Sequence, residues 1–110
     1  MAQLSWSLAS QDDVVEIGDF IAKDSIVYAV SVVERLVSAA EALRSSPFVG
    51  RVVPEYGRQD LRELIIGSYR LVYLVRADEA IVVRVVSRGE RLSQGPGARA
   101  VAETVNLLER

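Results

Sequence analysis

Residues 61–87, LRELIIGSYRLVYLVRADEAIVVRVVS, constrain the fold more than any other part of the chain. Leu61–Ile66, Tyr69–Arg76 and Ala80–Ser87 are short runs rich in β-branched and aromatic residues, and they are separated by very short breaks. Each run has the length and composition of a strand. Connections this short can only join antiparallel neighbours. Gly67-Ser68 puts glycine first, as a type II′ turn prefers, and Ala77–Glu79 supplies the next reversal. A three-stranded meander follows.

The first turn also sets the register. With Gly67-Ser68 as a two-residue loop, Ile66 pairs with Tyr69 and Ile65 with Arg70. Alternation then places Tyr69, Leu71, Tyr73 and Val75 on one face with Arg62, Leu64 and Ile66. Arg70, Val72 and Leu74 share the other face with Leu61, Glu63 and Ile65. Arg70 stands where the alternation calls for an apolar side chain. It either bridges to Glu63, a diagonal neighbour within arginine's reach, or belongs to a working surface. Alternation leaves both open. Arg84 is expected near Tyr73 and Arg62, its stem lying along the ring, and Glu55 after Pro54 reads first as a loop-anchoring carboxylate.

Upstream, Leu4, Trp6 and Leu8 alternate as a half-buried strand does. Ser10 is placed to cap a following helix, with Asp12 and Asp13 at its positive end. Val14, Ile17 and Ile21 continue at helical spacing. Asp24-Ser25 marks a break, after which Ile26, Val30, Val33, Val37, Ala40 and Leu43 follow a period near 3.6. That stripe predicts a long second helix despite its many valines. Residues 45–60 form a long Pro- and Gly-containing connection, a kind often functional. The GPG at 95–97 stops the chain, and Val101, Val105 and Leu108 mark a short C-terminal helix. Whether that helix packs on its own chain, swaps between copies or yields to a partner stays open.

The fold class is therefore α+β, one domain over residues 1–110. An N-terminal strand and helical hairpin pack on an antiparallel sheet, with a three-stranded C-terminal meander and a short C-terminal helix. The long helices cover the Tyr69/Leu71/Tyr73 face. The Arg70 face is expected to stay partly open, as a partner site does.

Composition narrows the chemistry. The chain has neither cysteine nor histidine, which removes thiolate and imidazole ligands and the commonest general base. No metal or cofactor is expected. No signal peptide and no membrane-length apolar run is read, so the expected location is the cytoplasm. The net charge of −2 hides an asymmetry, because residues 1–50 carry −4 and residues 51–110 carry +2. Twelve of the thirteen basic residues are arginine, which suits bidentate carboxylate or phosphate contacts.

GRVVPE (50–55), LRELI (61–65), SYRLVYLVR (68–76) and IVVRVVSRGERL (81–92), in this order after a helical hairpin, resemble the RelE/ParE toxin superfamily of type II toxin–antitoxin systems. The resemblance covers roughly residues 3–92 and is more ParE-like than RelE-like. It implies a growth-inhibiting toxin neutralised by a cognate antitoxin, with DNA gyrase as target if the chain acts as ParE-like members do. The alternative it implies is a RelE-type, ribosome-dependent messenger RNA endonuclease. On that alternative Arg70 and Arg91 would stabilise the phosphate, with Arg88 as a register alternative to Arg91, and Glu63 or Glu55 would serve as base. The tyrosine such enzymes carry after the last strand has no counterpart in SQGPGARA (93–100). The expected partner surface comprises Arg62, Arg70, Val72, Leu74 and Arg88. The antitoxin is expected to be acidic and to lie over the Arg70 face or the helical hairpin. Homo- or hetero-oligomers are compatible with this reading. Membrane binding, and sequence-specific DNA binding by the toxin alone, are not expected.

Overall fold

The structure is a computed structural model and describes residues 1–92 and 95–108. Its elements are β1 (Gln3–Trp6), α1 (Leu8–Ala22), α2 (Ile26–Glu41) with a 3₁₀ turn at Ala42–Arg44, β2 (Arg51–Val52), β3 (Leu61–Ile66), β4 (Tyr69–Arg76), β5 (Glu79–Ser87) and α3 (Gly95–Leu108). One sheet runs β1-β5-β4-β3-β2. The meander has the expected register, with Ile66 opposite Tyr69 and Ile65 opposite Arg70. Gly67 has φ of +58°, as the first position of a type II′ turn requires. The second reversal is tighter than expected: Arg76 pairs with Glu79, leaving Ala77-Asp78 as the loop, and Ala77 takes φ of +50°.

Two parts of the sheet differ from expectation. β1 joins the far edge parallel to β5, with Gln3 opposite Glu79 and Trp6 opposite Val82, so the sheet is mixed. Within the long connection, the two-residue β2 adds an opposite edge, Arg51 facing Glu63. A bulge in β5 also resets the alternation. Val72 pairs with Arg84 and Tyr73 with Val82, so Val83 is an extra residue. Ala80, Val82 and Val85 consequently face the helical hairpin while Val83 and Val86 face the other way.

Helices cover both faces of the sheet. Leu71, Tyr73 and Val75 pack under α1 and α2 against Val32, Leu36, Ala40 and Leu43. Leu61, Val72 and Leu74 pack with Val53, Leu92, Val101 and Val105. The domain thus has three layers rather than helices on one side. Residues 95–97 form the first turn of α3 instead of a stop, a place where proline's missing N–H costs nothing. The side chain of Leu108 lies outside the described residues.

The α1 cap is Ser7, whose hydroxyl accepts from the Ser10 amide at 3.1 Å. Ser10 and Asp13, expected at the helix start as cap and dipole partner, are buried against β5. In α2 the inward stripe is Ala29, Val32, Leu36 and Ala40. Of the expected stripe, Ala40 and Leu43 are buried and Val33 is half-buried, whereas Ile26, 72% exposed, Val30, 51% exposed, and Val37 face outward.

Candidate functional site

Arg70 is the residue on which the sequence reading turned, and it is buried, with 6% of its side chain exposed. β4 points it into the second core layer, where two carboxylates converge on it. Its Nε donates to Glu63 Oε1 at 2.7 Å. Nη1 and Nη2 form a fork onto Glu55 Oε2 and Oε1, both at 2.8 Å. Nη1 also donates to the Glu90 carbonyl at 2.9 Å, and Nη2 reaches Glu63. All three nitrogens of the guanidinium thus donate inside the domain, in four hydrogen bonds, with Nη2 in ion-pair contact with Glu63 besides.

The cluster extends outward at both ends. Glu63, with a fully buried side chain, accepts a further bond from Arg51 at the sheet edge. Glu55 accepts from the Leu92 amide at 2.9 Å. The network therefore ties the long connection, the sheet and the segment leading to α3 into one unit. Electrostatics follow from this geometry. Hydrogen bonds from Arg70, against an opposing contribution from burial, hold the Glu55 carboxyl down at about 2. Arg70 is shifted upward, first by Glu55 and then by Glu63, and stays charged at any accessible pH. Neither residue is poised to carry a proton.

The other expected site residues take different places. Val72 and Leu74 are fully buried, so the expectation of an open Arg70 face does not hold. The reason is α3, which with Leu92 and Val53 fills the layer the sequence left uncovered. Arg62 stacks on Phe48 at 4.9 Å and donates to the carbonyls of Gly50 and Gln59, at 2.9 Å each. It pins the long connection. Arg84 sits neither by Tyr73 nor by Arg62: the bulge turns it to α1, where it forks onto Asp13 at 2.7 and 2.8 Å. Arg88 and Arg91 are exposed, in the segment after β5.

Exposed apolar surface lies on the helical hairpin instead. Ile26, Val27, Tyr28, Val30 and Val37 of α2 are all exposed, as are Val15 and Phe20 of α1. Between the helices runs an apolar groove of about 290 Å³, floored by Gly18, Ala22 and Ala29 and walled by Ile26, Val30 and Val33. A methyl group at Gly18 would come within 3.3 Å of Val33, so the small residue lets the helices approach. Sequence reasoning assigned Ile26, Val30, Val33 and Val37 to the core because α2 is apolar almost all round. That breadth was itself the signal: a helix with two apolar faces has one more than a single core can use. Among the described residues, no cluster of His, Cys, Asp and Glu could hold a metal ion, and no helix is long and apolar enough to cross a membrane.

Comparison with known proteins gives the geometry a context. A family model described as the ParE toxin of the type II toxin–antitoxin system parDE matches residues 4–92. Among solved structures, a chain of a chromosomal ParDE toxin–antitoxin system from P. aeruginosa is similar, with a TM-score of 0.66 and 19% identity over 79% of this chain and 96% of that one. A copper-bound mutant toxin from Helicobacter pylori is similar with a TM-score of 0.50 and 25% identity, over 80% of this chain and 96% of that one. A search of curated proteins finds no match.

Proposed function

The chain belongs to the ParE toxin family of type II toxin–antitoxin systems, and we propose that it arrests growth in the cytoplasm by binding and inhibiting DNA gyrase until a cognate antitoxin neutralises it. The observation that carries the choice of mechanism is the saturation of Arg70. An arginine that stabilises a phosphorane must offer N–H groups to the phosphate oxygens. Here all three nitrogens donate to two carboxylates and a carbonyl inside the domain. Freeing it would leave charges buried without partners, at a cost of about 3–5 kcal/mol. Arg88 and Arg91 remain exposed, and Glu55, one of the two carboxylates the nuclease alternative would use as base, is held down at about 2. The geometry supports inhibition through surface contacts over RNA cleavage.

The antitoxin's place on this reading is the helical hairpin. Its exposed valines and Ile26 flank a groove that suits an apolar helix or extended segment. Supercoiling by purified gyrase in the presence of the protein tests the target. Relaxed product at near-stoichiometric toxin is expected. Full supercoiling at high molar excess overturns the proposal, and cleavage of message in a reconstituted translation reaction would point to the nuclease alternative.

A further inference from the structure

β1 covers β5 only as far as Val82, after which the chain turns into α1 and leaves the edge of β5 without a neighbouring strand. The first stretch of this edge is served by side chains from one face of α1. Ser7 donates through its amide to the Val82 carbonyl at 2.9 Å and through its hydroxyl to the Val83 carbonyl at 2.7 Å. Ser10 donates to the Val82 carbonyl at 3.1 Å, and Asp13 accepts from the Val85 amide at 2.9 Å. The spacing of these residues, three apart, lets successive helical turns do what a strand would do. Because the Val85 amide points toward α1, its carbonyl points there too, and so does the amide of Ser87 two residues on.

That remaining edge, about 10 Å long at 3.3 Å per residue, forms one wall of an open cleft of about 500 Å³. Glu16, Ile17 and Phe20 of α1 face it, with Tyr69, Ser87 and Glu90 opposite. Phe20 is 69% exposed at the mouth. The lining of the cleft carries three carboxylates, Asp13, Glu16 and Glu90, against one cation, Arg84. Arg84 forks onto Asp13 and lies within electrostatic reach of Glu16 and Glu90, so the cleft is acidic on balance. α1 contains no basic residue. Lys23, which follows α1, lies over the Phe20 ring at 5.8 Å.

From these observations we infer that the slot beside Val85–Ser87 is a docking site for an extended, basic segment of a partner protein. The segment adds a short strand to β5, and its lysines or arginines reach Glu16 and Glu90. Backbone pairing supplies the geometry and the carboxylates supply the selection. This site lies apart from the helical-hairpin groove, and the inference does not depend on which target the toxin inhibits.

An amidated heptapeptide of alternating lysine and valine, titrated at low ionic strength into the isotope-labelled protein, is a direct probe. Saturable shifts should centre on the amides of Val85 and Ser87, with slowed hydrogen exchange at Ser87. The same peptide with glutamate for lysine should bind at least tenfold more weakly, as should the Glu16→Lys/Glu90→Lys double variant toward the lysine peptide. Ser87→Pro removes the edge donor, and the surface double variant keeps the test valid if that substitution disturbs folding. Equal affinity for both peptides, shifts confined to the hairpin groove, or no saturable binding at millimolar peptide would each overturn the inference.

Discussion

Replacing Arg70 with methionine keeps a long unbranched side chain in the second core layer and removes the charge. Glu63, whose side chain has no exposure, then keeps only Arg51, and Glu55 loses its fork. The Glu90 carbonyl loses a donor as well. Removing one partner of a buried ion pair costs about 3–5 kcal/mol, chiefly because the other charge stays buried. For a domain of this size, whose whole stability is roughly 5–15 kcal/mol, that corresponds to a fall in Tm of roughly 12–25 °C by circular dichroism. The cause can be separated from simple loss of packing. Adding Glu63→Leu to Arg70→Met removes the stranded carboxylate, while Arg51, 60% exposed, turns to water. The double variant should recover at least about 1 kcal/mol relative to Arg70→Met, a coupling that independent sites do not show. If Arg70→Met costs under about 1 kcal/mol, or the two substitutions add without coupling, the cluster is not what holds these segments together. The result also bears on function, because with the expected destabilisation any loss of toxicity in an Arg70 variant traces to unfolding rather than to lost chemistry.

Three further outcomes follow from particular residues. Glu55 is held at about 2 in the folded protein against an ordinary 4.5, so its contribution is full above about pH 4.5 and is lost as pH falls toward 2. The gap corresponds to at most about 3 kcal/mol, and Glu55→Gln should flatten the stability–pH curve in that window, whereas an unchanged slope in urea titrations would assign acid sensitivity elsewhere. Ala77 occupies the left-handed region at φ of +50°, so Ala77→Gly should raise stability by about 0.5–1 kcal/mol, and a lower Tm would contradict the assignment of strain there. At Gly50 an added Cβ would lie 2.6 Å from both the Glu63 carbonyl and the Tyr73 hydroxyl, so Gly50→Ala should cost about 1–3 kcal/mol through overpacking. A neutral result by chemical denaturation would mean the 48–52 segment can move away.

The parts of this fold that were legible in the sequence are those whose determinants lie close together along the chain. The β3–β4 register followed from a two-residue loop with glycine first, and period-two alternation then sorted Leu71 and Tyr73 from Val72 and Leu74. The parallel pairing of β1 was not legible, because Gln3 meets Glu79 across most of the chain and a four-residue strand carries no mark of its partner. The β5 bulge was equally silent: Val82, Val83, Val85 and Val86 are alike, so nothing local shows where alternation slips, and Arg84 was misplaced as a result. The face of α2 was ambiguous since Ala29/Val32/Leu36 and Ile26/Val30/Val33 both satisfy helical spacing. For the candidate site, Glu63 was visible as a partner of Arg70 through strand geometry. Glu55 was visible only as a loop carboxylate, and its convergence on the same guanidinium depends on how a 16-residue connection folds back.

Charge inside a sheet can serve chemistry or cohesion, and the balance of donors and acceptors decides between them. A guanidinium set to receive a phosphate needs unpaired N–H groups facing solvent, and neighbouring carboxylates would repel the ligand. Arg70 has the opposite arrangement, with two carboxylates supplying as much negative charge locally as a phosphate would, already in place and held by β3 and the 53–56 turn. A phosphate approaching it would have to displace Glu55, which also holds the Leu92 amide and so the path to α3. Binding RNA there would mean loosening the second core layer. On the proposed reading the second core layer stays closed and the partner binds the surface left apolar, the outer face of α1 and α2. Substitutions in that groove, such as Val30→Asp, should therefore abolish antitoxin binding while leaving unfolding free energy within about 0.5 kcal/mol of the parent, the usual range for exposed positions, and retained affinity for the antitoxin would remove the hairpin from the interface.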